Sequence, residues 1–141
     1  MSQVYADFRL INTFTKQSVS IRALVDTGAM GTYVTWEVAR QLGFDPEEAP
    51  VQYVTMADEL QVPAPRLGPV SIHFEDRYCI SEIRALGKQC LMGVTLMETM
   101  QLIVDPIRQK LIPDPHPHVD LVFYREAYLA SCAASQPPPR S

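Results

Sequence analysis

No apolar stretch in the sequence reaches the roughly 18 residues that a membrane-spanning helix needs. The N-terminus, MSQVYADFRLINTF, lacks a basic start followed by an apolar run, so no secretory signal is expected there. Cysteine is sparse. Cys79, Cys90 and Cys132 form no C-x-x-C pair, and their odd number does not suit a disulfide scaffold. Reduced thiols in a cytoplasmic protein are the expectation. Basic residues are also few: 12 Lys and Arg stand against 16 Asp and Glu, for a net charge of −4. No basic stripe stands out, and a nucleic-acid partner would need one. There is no internal repeat. What remains is an ordinary globular composition, 47% hydrophobic and 20% charged over 141 residues, enough to bury the core of one domain.

The first third of the chain has the period of β-structure. Val4, Ala6, Phe8 and Leu10 alternate with more polar neighbours, and so do Val19, Ile21, Ala23 and Val25. Asn12 to Ser18 is the expected turn between them. Thr32 to Thr35 resumes extended structure. Thr35 then suits an N-cap, Trp36, Ala39 and Leu42 fall at helical spacing, and Gly43 sits where a helix stops. Val51–Met56 and Leu60–Pro63 form an expected hairpin around Ala57-Asp58-Glu59. A further hairpin is expected from Val70–Phe74 and Tyr78–Leu86, turning at Glu75-Asp76-Arg77. Val94–Gln101 fits a short helix burying Leu96, Met97 and Met100, and a last hairpin joins Leu102–Val104 to Lys110–Ile112. Many short strands with one or two short helices predict a mostly β fold, a small barrel or sandwich. Beyond Pro113 the proline-punctuated Asp114–His118 cannot lie inside a sheet. Val119–Ala134 is compatible with a helix, with Leu121, Tyr124 and Tyr128 on one side, and QPPPRS with a disordered end.

Chemistry concentrates at Ala23-Leu24-Val25-Asp26-Thr27-Gly28-Ala29, where an apolar strand runs into a carboxylate in a turn. Asp-Thr-Gly arises by chance in about 2–3% of chains of this length at average residue frequencies, and a plain β-turn would also use Asp and Gly. Peptide hydrolysis offers a reason for the pattern. It needs an activated water and a proton for the leaving amide, and two adjacent carboxylates sharing one proton supply both. Glycine lets backbone N–H groups approach such a carboxylate.

Val25-Asp26-Thr27-Gly28-Ala29 resembles the active-site motif of the retropepsin-like aspartic proteases. Leu91-Met92-Gly93, just before a predicted helix, is similar to the second motif of that family. The hairpin closing at Pro113 is similar to the last hairpin of the bacterial and DNA-damage-inducible-type branches. The resemblance covers roughly residues 4 to 113, so a protease domain is expected over 1–113 and an extension over 114–141. It implies a small closed barrel, homodimeric, acting as an endopeptidase without metal or cofactor on peptide or protein substrates. Asp26 is implied as the catalytic carboxylate, one per subunit, since the chain has no second Asp-Thr-Gly. Thr27 is implied as a cross-subunit grip and Gly28 as the backbone support of the carboxylate. Ala29 would line the site, Met56, Ala57 and Asp58 would lie at the flap tip over substrate, and Leu91, Met92 and Gly93 would pack behind the loop. An apolar subsite preference follows from the same resemblance.

Two departures stand out. The flap turn is Ala-Asp-Glu where many relatives have Ala-Asp-Gly, and Thr95 stands where relatives often carry an aspartate. Other readings remain open: a silent dimerisation or peptide-binding module on the same fold, and a protease held inactive by residues 114–141. His116 and His118, beside Asp114 and Asp120, make at best a loose metal site. Cys90 and Trp36 are expected as packing residues.

Overall fold

The computed structural model describes residues 3–115 and 123–124. Strands β1 (Val4–Asn12) and β2 (Ser18–Val25) form an antiparallel hairpin that pairs Ala6 with Ala23 and Phe8 with Ile21. Alternation buries those four residues and Leu10 on one face. Buried Asn12 fixes the turn: its Oδ1 accepts the N–H groups of Phe14 and Thr15 at 2.9 and 3.3 Å. Its Nδ2 donates to the Leu42 carbonyl at 2.8 Å, which ties the hairpin to the end of the first helix.

That helix, α1 (Trp36–Gln41), follows strand β3 (Thr32–Val34). Thr35 caps it, its hydroxyl accepting from Val38 N–H at 3.1 Å, a contact type worth about 1 kcal/mol. It ends as its sequence predicts. Gly43 takes φ +87°, and the N–H groups of Gly43 and Phe44 turn back to the carbonyls of Arg40 and Ala39.

The middle of the chain differs from the sequence expectation. Residues 61–74 form one long strand, β5 (Gln61–Phe74), where two separate strands were expected. It pairs with β4 (Val51–Thr55) over its first half and with β1 and β6 (Arg77–Ala85) over its second. Pro63 and Pro65 do not stop it. Hydrogen bonds from Met56 N to Leu60 O and Arg66 N to Pro50 O set the ladder. Alternation then puts both prolines at positions whose N–H would point away from β4. The register shifts between Leu67 and Val70, around the cis Gly68–Pro69 bond.

Strand β7 (Leu91–Met92) and helix α2 (Val94–Met100) follow, then the hairpin of β8 (Leu102–Asp105) and β9 (Lys110–Pro113). Buried Arg77 donates to the carbonyls of Met100 and Gln101 at the C-terminal end of α2, where positive charge is favoured. A two-residue strand, β10 (Phe123–Tyr124), pairs with Tyr78 and Arg77 of β6. The backbone there is extended where the sequence allowed a helix. The remainder of the Val119–Ala134 segment, the His116/His118 pair and the terminal QPPPRS lie outside the described residues.

The strand order is β10-β6-β3-β7-β2-β1-β5-β4, with β5 also paired to β6, and β8-β9 apart. The fold is mostly β. Its core joins Phe8, Leu10, Val34, Ile72 and Ile83 from the strands to Leu42, Leu96, Met97 and Met100 at the helices. Among the described residues no helix is long and apolar enough to cross a membrane.

Candidate active site

Asp26 is the first residue beyond β2, and its position is set by β7. Strand β7 runs parallel to β2, pairing Val25 with Met92, and antiparallel to β3, pairing Thr32 with Met92. It therefore lies between the strand that enters the Asp26 loop and the strand that leaves it. Asp26 N–H donates to the Met92 carbonyl at 2.9 Å. Gly28 N–H donates to Asp26 Oδ1 at 2.9 Å, and Ala29 N–H to the Asp26 carbonyl at 3.1 Å. One carboxylate oxygen is thus held by backbone, which fixes its direction without a long side chain.

Helix α2 completes the support. Its N-cap is Gly93, which has no side chain to offer. The N–H groups of Val94 and Thr95 donate instead to the carbonyls of Ala29 and Met30, at 2.8 and 3.3 Å. So the loop after Asp26 caps the helix, and the missing aspartate at Thr95 leaves these two donors satisfied. The close approach requires glycine at 93: a Cβ there would stand 2.5 Å from the Ala29 carbonyl oxygen and 2.8 Å from the Met30 carbonyl carbon.

Across from the loop stands the β4–β5 hairpin. Met56 N–H donates to Leu60 O and Glu59 N–H to Met56 O, at 2.8 and 2.9 Å, which closes a three-residue loop. Glu59 takes φ +67°, the left-handed position such a loop ends on. The hairpin keeps this shape with glutamate where glycine would carry no steric cost. Val51, Tyr53 and Leu60 are exposed on it.

Between loop and hairpin lies a cleft of about 790 Å³. Of the residues singled out in the sequence, Asp26, Gly28, Ala29, Met56, Ala57 and Leu91 line it. Thr27 is exposed beside it, outside the lining. Asp58 sits at the tip of the hairpin, where its carboxylate accepts Leu60 N–H at 3.2 Å, and it does not reach the cleft. Met92 and Gly93 lie behind the loop. Several other lining residues are marked by no local pattern in the sequence, among them Met30, Tyr33, Arg84 and Lys88, and Gln52 and Tyr53 join them from the hairpin. Arg84 Nε and Nη2 donate to Gln52 Oε1 at 3.0 and 2.8 Å, a contact across 32 positions that no local pattern announces.

The thiols near this region are packing groups. Cys79 and Cys90 are buried and unpaired. Burial pushes the Cys79 thiol up to about 12 and raises that of Cys90, where a backbone hydrogen bond at Thr35 offsets part of the effect.

Comparison with known proteins agrees with this geometry. Residues 13–75, which include the Asp26 loop and the β4–β5 hairpin, match the family model described as aspartyl protease. No curated protein matches the sequence. The fold is similar to the retroviral protease-like domain of Ddi1 from Leishmania major, with TM-score 0.58 and 16% identity over 88% of this chain and 94% of that one. It is also similar to a retropepsin-like aspartic protease from Rickettsia conorii, with TM-score 0.53 and 20% identity over 74% of this chain and 88% of that one. The chain thus shares the fold of these two retropepsin-like proteins, and its residues 13–75 match the aspartyl protease family model.

Proposed function

We propose that the protein is an aspartic endopeptidase whose catalytic pair is made of two Asp26 carboxylates, one from each of two identical subunits. The observation that carries this reading is the Asp26 carboxylate, held by Gly28 N–H and opening into a cleft under a hairpin. One chain supplies one such carboxylate. Among the described residues the other acidic side chain lining the cleft is Glu82, which is engaged by Arg66 at 2.7 Å. On this reading the second free carboxylate comes from a second copy, and twofold symmetry brings like to like. Exposed Thr27, next to Asp26, would then be covered by the partner. The pairing of β5 with both β1 and β6 supports a closed barrel in each subunit.

In the paired site a water sits between the carboxylates. One carboxylate takes a proton from it, and the resulting oxygen attacks the peptide carbonyl. The other, protonated, gives its proton to the carbonyl oxygen. Collapse of the tetrahedral intermediate passes a proton to the leaving amide nitrogen. No metal and no covalent enzyme intermediate is required. An extended peptide would lie along the cleft beneath Met56 and Ala57, and the apolar walls at Tyr33, Tyr53 and Leu86 suit apolar side chains.

The test is cleavage of an unbiased peptide mixture from acid to neutral pH, beside an Asp26→Asn variant. Products made by the natural protein and missing from the variant are expected. A folded dimer that yields no products at high concentration would favour a silent peptide-binding module.

A further inference from the structure

The end of β6 alternates: Ile83 and Ala85 are buried in the core, and Arg84 between them faces the cleft. Its guanidinium is held by Gln52 on one side and lies close to Gly31 on the other. Nε and Nη2 donate to Gln52 Oε1 on β4, and Nη1 stands where it would be 2.8 Å from a Cβ at Gly31. A guanidinium has five N–H donors. Two are spent on the neutral Gln52 amide, and among the described residues no carboxylate lies within ion-pair distance of the other three. This sets Arg84 apart from Arg22, Arg40, Arg66 and Arg108, each of which has a carboxylate partner. Glu82, two residues away on the same strand, is already paired with Arg66. Lys88 lines the same cleft and adds positive potential.

A positioned cation whose partner is an uncharged oxygen, in a cleft shaped for a chain, favours an anionic occupant. We propose that Arg84 forms a subsite for a carboxylate of the bound peptide. That carboxylate belongs to an Asp or Glu side chain at one fixed position, or to the peptide's own C-terminus. The inference deepens the peptidase reading and rests on it for the identity of the ligand as a peptide. Arg84 is a specificity residue in this account, acting on binding and not on the chemical step.

The experiment uses matched peptides that differ only by Glu or Gln at each position in turn, with free or amidated C-termini. The Glu-to-Gln ratio of kcat/KM is read within each protein, so differences in folding between variants cancel. At one position the natural protein should favour Glu by about tenfold, the worth of one charge-assisted contact. The ratio should fall towards one in Arg84→Gln and below one in Arg84→Glu. It should also fade as pH drops below about 4, where the substrate Glu is protonated. A preference that follows the free C-terminus keeps the subsite and assigns it to the chain end. Ratios near one at every position, or a ratio unchanged by Arg84→Gln, overturn the inference while leaving the peptidase reading intact. If nothing is cleaved, binding of the same fluorescent peptides is measured. An Arg84-dependent Glu preference in binding then upholds the subsite without the peptidase, and equal binding of Glu and Gln peptides overturns it.

Discussion

Gly93 lies so close to Ala29 that a Cβ on residue 93 would come within 2.5 Å of the Ala29 carbonyl oxygen. The contact joins the start of α2 to the loop that holds Asp26. Both N–H groups that α2 offers there are answered by that loop. Gly93→Ala should therefore act on the site as well as on the fold. The added methyl meets backbone, which cannot swing aside, so a loss of about 1–3 kcal/mol is expected. Cleavage should fall further than the folded fraction does. Urea unfolding alongside kcat/KM checks this, and full activity in a destabilised protein would show that the loop does not depend on the helix.

The hairpin over the cleft carries the opposite kind of position. Glu59 holds φ +67°, which costs a non-glycine residue about 1–2 kcal/mol. Glycine removes that cost but gives back part of it through a more flexible unfolded chain. Glu59→Gly should raise stability by about 0.5–1 kcal/mol, read as a higher urea midpoint. An unchanged or lower midpoint would mean that the glutamate side chain makes a contribution the turn geometry does not contain.

How much of this was legible in the sequence depends on the range of the contacts involved. Thr35 and Gly43 announce the ends of α1 because a cap and a left-handed stop are local chemistry. The alternation from Val4 to Val25 announces the first hairpin for the same reason. The Asp26 turn is visible as a motif. The single strand through Pro63, Pro65 and Gly68 is hidden, because proline normally breaks strands and only the ladder phase with β4 shows that its missing N–H is harmless. Strand β7 has two residues, and only its two neighbours make it a strand. Arg84 looks like a solvated charge until Gln52 and Gly31 are placed around it.

The buried thiols set a limit at high pH. Cys79 has its thiol pushed up from 9.0 to about 12 by burial, while the unfolded chain ionises it normally. The folded state thus retains a proton that the unfolded state gives up above pH 9. Its contribution to stability is complete below about pH 9 and is lost as pH rises towards 12. Stability measured by urea should decline over that window, and Cys79→Ala should flatten the decline. Equal slopes in the two proteins would assign the loss to other groups.

On the proposed reading, one active site needs two copies of Asp26. This can be read by mixing natural protein at fixed concentration with increasing amounts of the Asp26→Asn variant, allowing subunits to exchange, and following cleavage of one peptide. Mixed dimers hold one carboxylate and should be inactive, so activity should fall as the variant draws natural subunits out of homodimers. Activity that stays constant through a large excess of the variant, with exchange verified, would show that each chain works alone and would contradict the account.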